Sequence, residues 1–211
     1  MTEPLVVKVG GGLLAEHGIE GLRRACEEVE RLSRRRPVLV VPGGGPFADA
    51  VRAADDGGQL GDALAHRLAL AAMDQLGMVL ARLLPAAEST ATLRAPAQLG
   101  LLLATPAFAG RADVPASWSV TSDSLAVLAA GEIGAREAVL LKPVAGVLRS
   151  WPSSDAPMPE LSATGLAQLQ AAGEARAVDA YLPTAIGQTG VSVTVRAPGA
   201  PARVRTRIIP D

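Results

Sequence analysis

Two short apolar runs constrain this chain more than any other feature, because each ends in three consecutive glycines and opens into a helix-like stretch. The first reads Leu5-Val6-Val7-Lys8-Val9-Gly10-Gly11-Gly12; the second, about thirty residues on, reads Val38-Leu39-Val40-Val41-Pro42-Gly43-Gly44-Gly45-Pro46. Unbroken β-branched runs of this length predict strands buried on both faces, as in a parallel sheet. Glycine then lets the backbone turn sharply and come close to a ligand. Pro46 suits the first position of a helix, where its missing N–H costs nothing. Two strand–glycine–helix units in succession predict a parallel βαβ arrangement and an α/β fold. Neither turn has the G-x-x-x-x-G-K-[ST] phosphate loop or the G-x-G-x-x-G dinucleotide fingerprint. Ordinary P-loop and Rossmann folds are therefore disfavoured.

Free N–H groups at a glycine turn and at a helix start both attract negative charge, so phosphate is the chemistry such turns suit. The basic residues sharpen this reading. Of twenty, only Lys8 and Lys142 are lysine and the rest are arginine. A compact ammonium can follow a moving phosphoryl group where a planar guanidinium cannot. Both lysines end apolar runs, Leu5 to Lys8 and Ala138 to Lys142. In open α/β sheets the carboxyl ends of strands are where ligands bind. Asp123 lies in the run Thr121-Ser122-Asp123-Ser124. Thr121 or Ser122 can cap the following helix, which would leave Asp123 as an ordinary first-turn carboxylate. The functional reading is that Asp123 orients the two lysines, with neither Lys8 nor Asp123 needed for packing.

Length and composition set bounds. A chain of 211 residues is expected to form one domain, residues 1–211, burying roughly 70% of its unfolded surface. A net charge of −1 gives no general attraction to nucleic acid or to an anionic membrane. One cysteine, Cys26, excludes an internal disulfide framework, and the two histidines, His17 and His66, form no visible metal-ligand pair. Without a signal-peptide pattern or a membrane-length apolar run, a cytoplasmic protein is the expectation.

The remaining pattern predicts a helix over Ile19 to Leu32 with Leu22, Cys26 and Val29 inward, and a loop at Asp55 to Gly58. A long helix is predicted over Leu60 to Leu84, its apolar face drawn from Leu60, Leu64, Leu68, Met73, Leu80 and Leu84. The middle third reads as a short strand at Ala91 to Ala95, a short buried helix at Gln98 to Leu103, and a loop from Ala107 to Ser117. Three prolines between Trp151 and Glu160 predict a surface loop. Helices are expected over Leu161 to Ala172 and Ala180 to Ile186, and strands over Val191 to Val195 and Val204 to Ile209.

These stretches, together with Leu140-Leu141-Lys142-Pro143-Val144-Ala145-Gly146-Val147, resemble the amino acid kinase superfamily, which includes acetylglutamate, aspartate and uridylate kinases. The match runs in order along essentially the whole chain. His66, Met73-Asp74-Gln75, Trp118 and the Thr-Ser-Asp-Ser run are most similar to the branch that phosphorylates an aminomethylfuran methyl phosphate in methanofuran-type cofactor biosynthesis. The resemblance implies a three-layer αβα sandwich with a mainly parallel sheet, and ATP with Mg2+ as phosphoryl donor. By position, Lys8 and Asp123 would be catalytic. Gly10, Gly11, Gly12, Gly44, Gly45, Lys142 and Gly146 would hold the nucleotide. Gly43, His66, Trp118, Thr121 and Ser122 would hold a small phosphorylated acceptor. It also implies a homo-oligomer.

The chain departs from the family pattern in places. Gly12 stands where serine is usual, and Pro143 and Ala145 stand where an acidic residue is common. Arg196-Ala197-Pro198-Gly199 replaces an asparagine–glycine turn, and a second lysine carried by many members after that turn is missing. A catalytically degenerate subunit that binds or scaffolds a partner therefore stands beside the kinase reading, with uridylate kinase-like activity as a third.

Overall fold

Alternating apolar runs and amphipathic stretches become alternating strands and helices in the computed structural model, which describes residues 2–149, 156–201 and 203–211. The first half contains β1 (Leu5–Val9), α1 (Gly12–Ser33), β2 (Val38–Pro42), α2 (Gly45–Ala54), α3 (Asp62–Leu83), β3 (Glu88–Thr90), β4 (Leu99–Leu102) and α4 (Ala104–Phe108). The second contains α5 (Ser122–Glu132), β5 (Glu137–Leu141), β6 (Glu160–Ser162), α6 (Ala163–Ala171), α7 (Leu182–Thr189), β7 (Ser192–Arg196) and β8 (Thr206–Ile209).

The strands form one sheet in the order β3-β4-β2-β1-β5-β7-β8-β6, parallel throughout except where β7 meets β8. The runs at Leu5, Val38 and Ala138 are adjacent, parallel and interior, as their apolar character on both faces requires. Lys8 pairs in register with Val41 and Leu140, so the central strand delivers its lysine to the carboxyl edge. Alternation assigns the faces. Leu5, Val7 and Val9 pack with Leu22, Cys26, Val29, Leu76 and Leu80 of α1 and α3. Val6, Ala138, Leu140, Val193 and Ile208 pack with α5, α6 and α7 on the other side. Lys8, two residues after Val6, therefore faces α5. The result is a three-layer αβα sandwich.

Several expectations are corrected. Residues Gln98 to Leu103 are not a helix: Leu99–Leu102 is strand β4, fully buried beside β2. A run of four apolar residues suits either state, and the adjoining strand edge decided it. The short strand lies at Glu88–Thr90 rather than at Ala91 to Ala95. The first helix begins at Gly12, with non-helical backbone at Gly18. On α3 the buried face is Ala65, Leu70, Met73, Leu76 and Leu80, while Leu64 and Leu68 are exposed. Leu161 belongs to β6 rather than to the helix after it. Of the proline-rich segment, residues 151–155 lie outside the described residues, and Glu160 begins β6.

Candidate active site

The two glycine turns meet backbone to backbone. Gly10 and Gly43 do not offer their N–H groups to a ligand, because these prolong the sheet: Gly10 donates to the Leu141 carbonyl at 2.8 Å and Gly43 to that of Val9 at 2.9 Å. The turns then touch. A Cβ on Gly11 would lie 2.1 Å from the Gly45 nitrogen, and one on Gly43 would lie 2.5 Å from the Gly11 nitrogen. Gly45 also has a positive φ of 53°. Gly11 and Gly44 are the N-caps of α1 and α2, and neither supplies a side-chain cap. Two uncapped helix starts thus lie side by side, with the N–H groups that helical geometry leaves without an internal acceptor. Of the glycines expected to donate, Gly11, Gly12, Gly44 and Gly45 fit the role and Gly10 does not.

Beside these turns lies a buried ion triad. Lys8 Nζ is 2.8 Å from Asp123 Oδ1, off the direction of a hydrogen bond, and Lys142 Nζ is 2.7 Å from Oδ2. Lys8 and Asp123 are 4% and 2% exposed. Burial lowers the Lys8 pKa to about 8 against the pull of Asp123, with Lys142 adding to the lowering. For Asp123, burial pushes upward, but Lys142 and Lys8 together outweigh it and hold the pKa at about 2. The carboxylate therefore keeps its charge at neutral pH. Its position is fixed by the start of α5, where the Thr121 hydroxyl accepts from the Asp123 N–H at 3.4 Å.

That helix start is in turn held by Asp179, which the sequence reading missed. Asp179 Oδ2 accepts from the Thr121 N–H and hydroxyl, both at 2.8 Å, and from the Ser124 N–H at 3.0 Å. Oδ1 takes the Ser124 hydroxyl. Burial and the nearby charge of Asp123 raise the Asp179 pKa. No local pattern marks this residue, because all these partners lie 55 or more positions away.

Two cavities flank the triad. The larger, about 260 Å³, is lined by Lys8, Gly11, Gly44, Gly45 and Asp123, and it brings His66, Trp118, Thr121 and Ser122 to one wall system. Apolar Leu70 and Met73 also line it. Burial lowers the His66 pKa, which favours the neutral imidazole. Trp118 is fixed from both sides: its Nε1 donates to buried Asp55 at 2.8 Å, and the Arg52 guanidinium lies 4.9 Å over its ring. Arg52 and Asp55 are further residues that sequence reasoning did not pick out. In the stretch Met73-Asp74-Gln75, Asp74 caps α4 by accepting from Ala104 N–H at 2.5 Å and Thr105 N–H at 3.1 Å. The second cavity, about 250 Å³, lies across Gly12 and is lined by Gly10, Glu16, Pro143, Val144 and Arg176.

Lys8, Gly12 and Lys142 line both cavities. Gly43 lines neither and serves the contact between the turns. Gly146 also lines neither: it is buried where a Cβ would strike the Thr206 hydroxyl at 2.6 Å and Pro157 at 2.7 Å. Its glycine is required by packing against Thr206 of β8 and Pro157. Two of the departures from the family pattern are neighbours, since a Cβ on Gly12 would sit 3.3 Å from Pro143 Cγ.

Comparison with known proteins follows the same direction. Residues 3–193 match the model of the amino acid kinase family. The chain is 27% identical over 152 residues to [5-(aminomethyl)furan-3-yl]methyl phosphate kinase from Methanocaldococcus jannaschii, covering 70% of this chain and 69% of that one. Among solved structures, uridylate kinase from Archaeoglobus fulgidus superposes with a TM-score of 0.72 at 19% identity, covering 98% of this chain and 100% of the other. Aspartate kinase from Synechocystis gives 0.70 at 16% identity, covering 99% of this chain and 40% of the other. At these identities the structural likeness establishes the fold alone.

Proposed function

Because the chain belongs to the amino acid kinase family, we propose that it transfers the terminal phosphoryl group of ATP to a small phosphate monoester of the aminomethylfuran methyl phosphate type, giving a diphosphate. The observation that carries this reading is the position of Lys8, Gly12 and Lys142 on the shared wall of two cavities. A group passing between two ligands has to cross such a wall. The Trp118 cavity combines aromatic, apolar and cationic lining, which suits a small ring bearing a phosphate. The cavity across Gly12 takes the nucleotide. When bound, ATP would supply the phosphoryl group, with ADP as the leaving group.

The protein's part is positioning and charge neutralisation, which is most of what phosphoryl transfer asks. The N–H groups of Gly11, Gly12, Gly44 and Gly45 orient phosphate oxygens. Lys8 neutralises charge as it develops on the transferring group. Asp123 holds Lys8 and Lys142 at a fixed spacing without itself gaining a proton. Among the described residues no cluster of three or more acidic, histidine or cysteine side chains could hold a metal ion, and both Asp123 oxygens face ammonium groups. That donor set fits magnesium arriving on the nucleotide phosphates and keeping several waters.

The test incubates the protein with ATP, Mg2+ and a panel of acceptors, scoring ADP release and the diphosphate product. The panel holds aminomethylfuran methyl phosphate, its unphosphorylated alcohol and UMP. Turnover with the furan phosphate but not the alcohol supports the reading. Turnover confined to UMP would assign a uridylate kinase activity. ATP binding without turnover on any acceptor would favour a non-catalytic binding subunit.

A further inference from the structure

A third cavity, about 630 Å³, opens on the face of the sheet opposite Asp123 and apart from both cavities of the transfer site. Its floor is Val139 of β5 and Thr194 of β7, and one wall is the end of α1. On this face β7 and β8 present Ser192, Thr194, Arg196 and Arg207, while the alternate residues Val193, Val195 and Ile208 fill the core on the other side. Leaving aside Arg205, which has a partner of its own, the lining carries four arginines against two glutamates, in a chain whose net charge is −1.

The two glutamates are already engaged. Glu28, 1% exposed, pairs with Arg196 and accepts the Gly199 N–H at 2.7 Å; Arg31 approaches it only to 3.9 Å. Glu137 accepts from Arg36 at 2.8 Å. Arg207 reaches Glu160, outside the lining, at 3.6 Å in an exposed contact that adds little. Arg196 and Arg36 keep only 16% and 29% of their side chains exposed, so their charges sit against a low-dielectric wall. A concave surface with a surplus of cations focuses a positive potential. Guanidinium forks match phosphate oxygens in bidentate geometry. The Arg196-Ala197-Pro198-Gly199 turn, a departure from the family pattern, thereby finds its place: it closes this groove onto α1. One strand pairing separates the groove from the transfer site: the Arg196 carbonyl accepts the Lys142 N–H at 3.0 Å, and no lining residue is shared.

We propose that this groove is a second binding site, taking a small molecule with two or more phosphate groups, independent of the acceptor and nucleotide cavities. The probe is inorganic tripolyphosphate, titrated calorimetrically into the full chain at about 150 mM salt, where loose charge attraction is screened beyond about 8 Å. Lys8→Ala serves as the background, so that binding at the transfer site is weakened. Arg31 and Arg207, with side chains 61% and 51% exposed, can be replaced with little risk to folding. Matched melting temperatures check this. The expected result is binding to the Lys8→Ala protein that weakens tenfold or more when Arg31→Ala and Arg207→Ala are added. No binding to the Lys8→Ala protein, or a loss smaller than tenfold on removing the two arginines, overturns the proposal. Neither outcome bears on phosphoryl transfer itself, which the acceptor panel tests separately.

Discussion

At Lys8, burial sets the ammonium pKa at about 8, below its ordinary 10.5, while Asp123 pulls the other way. If the ammonium is the form that works, kcat/KM falls as pH rises through about 8. Stability behaves differently. Between about 8 and 10.5 the unfolded chain holds this proton more tightly than the folded one, so the Lys8 contribution to stability increases with pH there. Rate profiles and thermal melts in the same buffers check the pair: activity lost in this window without a fall in melting temperature is expected. Removing one transition-state charge contact costs about 3–4 kcal/mol, or 10²–10³ in rate. Lys8→Arg is expected to lose that much, since the larger fork cannot follow the phosphoryl group. Asp123→Asn is expected to lose as much turnover and also to destabilise. The buried triad corrects the expectation that Asp123 is dispensable for the fold, because its loss leaves two ammonium groups without a counter-charge, at about 3–5 kcal/mol. Denaturant melts beside single-turnover rates on folded protein separate the two effects, and a Lys8→Arg rate near wild type would remove the mechanism.

At the level of elements, the decisive contact joins two turns rather than two side chains. The helix starts of α1 and α2 can lie together only because Gly11, Gly43 and Gly45 have no Cβ to separate them. Gly11→Ala places a carbon 2.1 Å from the Gly45 nitrogen, so one backbone must move. The expected outcome is a stability loss of about 1–3 kcal/mol, together with at least tenfold weaker ATP binding, read by denaturant titration and calorimetry. Gly18→Ala provides the control: that glycine has a positive φ but nothing within 4 Å of its Cβ position, so it should lose stability without losing ATP affinity.

For the molecule as a whole, the large exposed apolar residues among the described residues are Ile19 on α1 and three on α3. Leu64, Leu68 and Met78 lie along one stripe of α3, exposed by 46%, 37% and 74%. A homo-oligomer formed through α3 would cover them, and Met78→Glu is expected to shift sedimentation toward the monomer while leaving the helical circular dichroism signal intact. An unchanged sedimentation profile would place any self-contact elsewhere. Among the described residues no helix is long and apolar enough to cross a membrane.

What the sequence determined by itself was local and periodic. Unbroken apolar runs fixed β1, β2 and β5 as interior parallel strands, glycine and proline marked their turns, and the scarcity of lysine singled out Lys8 and Lys142. Even so, short apolar runs such as Leu99–Leu102 were undecided, since four buried residues suit helix and strand alike. The face of α3 was misread for a related reason: leucines occur on both its sides, and only the neighbouring layers select which side is covered. The tertiary structure alone decided the partners. Asp179 meets Thr121 and Ser124, Arg52 lies over Trp118, and Gly146 fits under Thr206 across long stretches of chain. Such contacts leave no period in a sequence. A carboxylate 55 residues from the helix it anchors looks locally like any other aspartate until the sheet brings the two together.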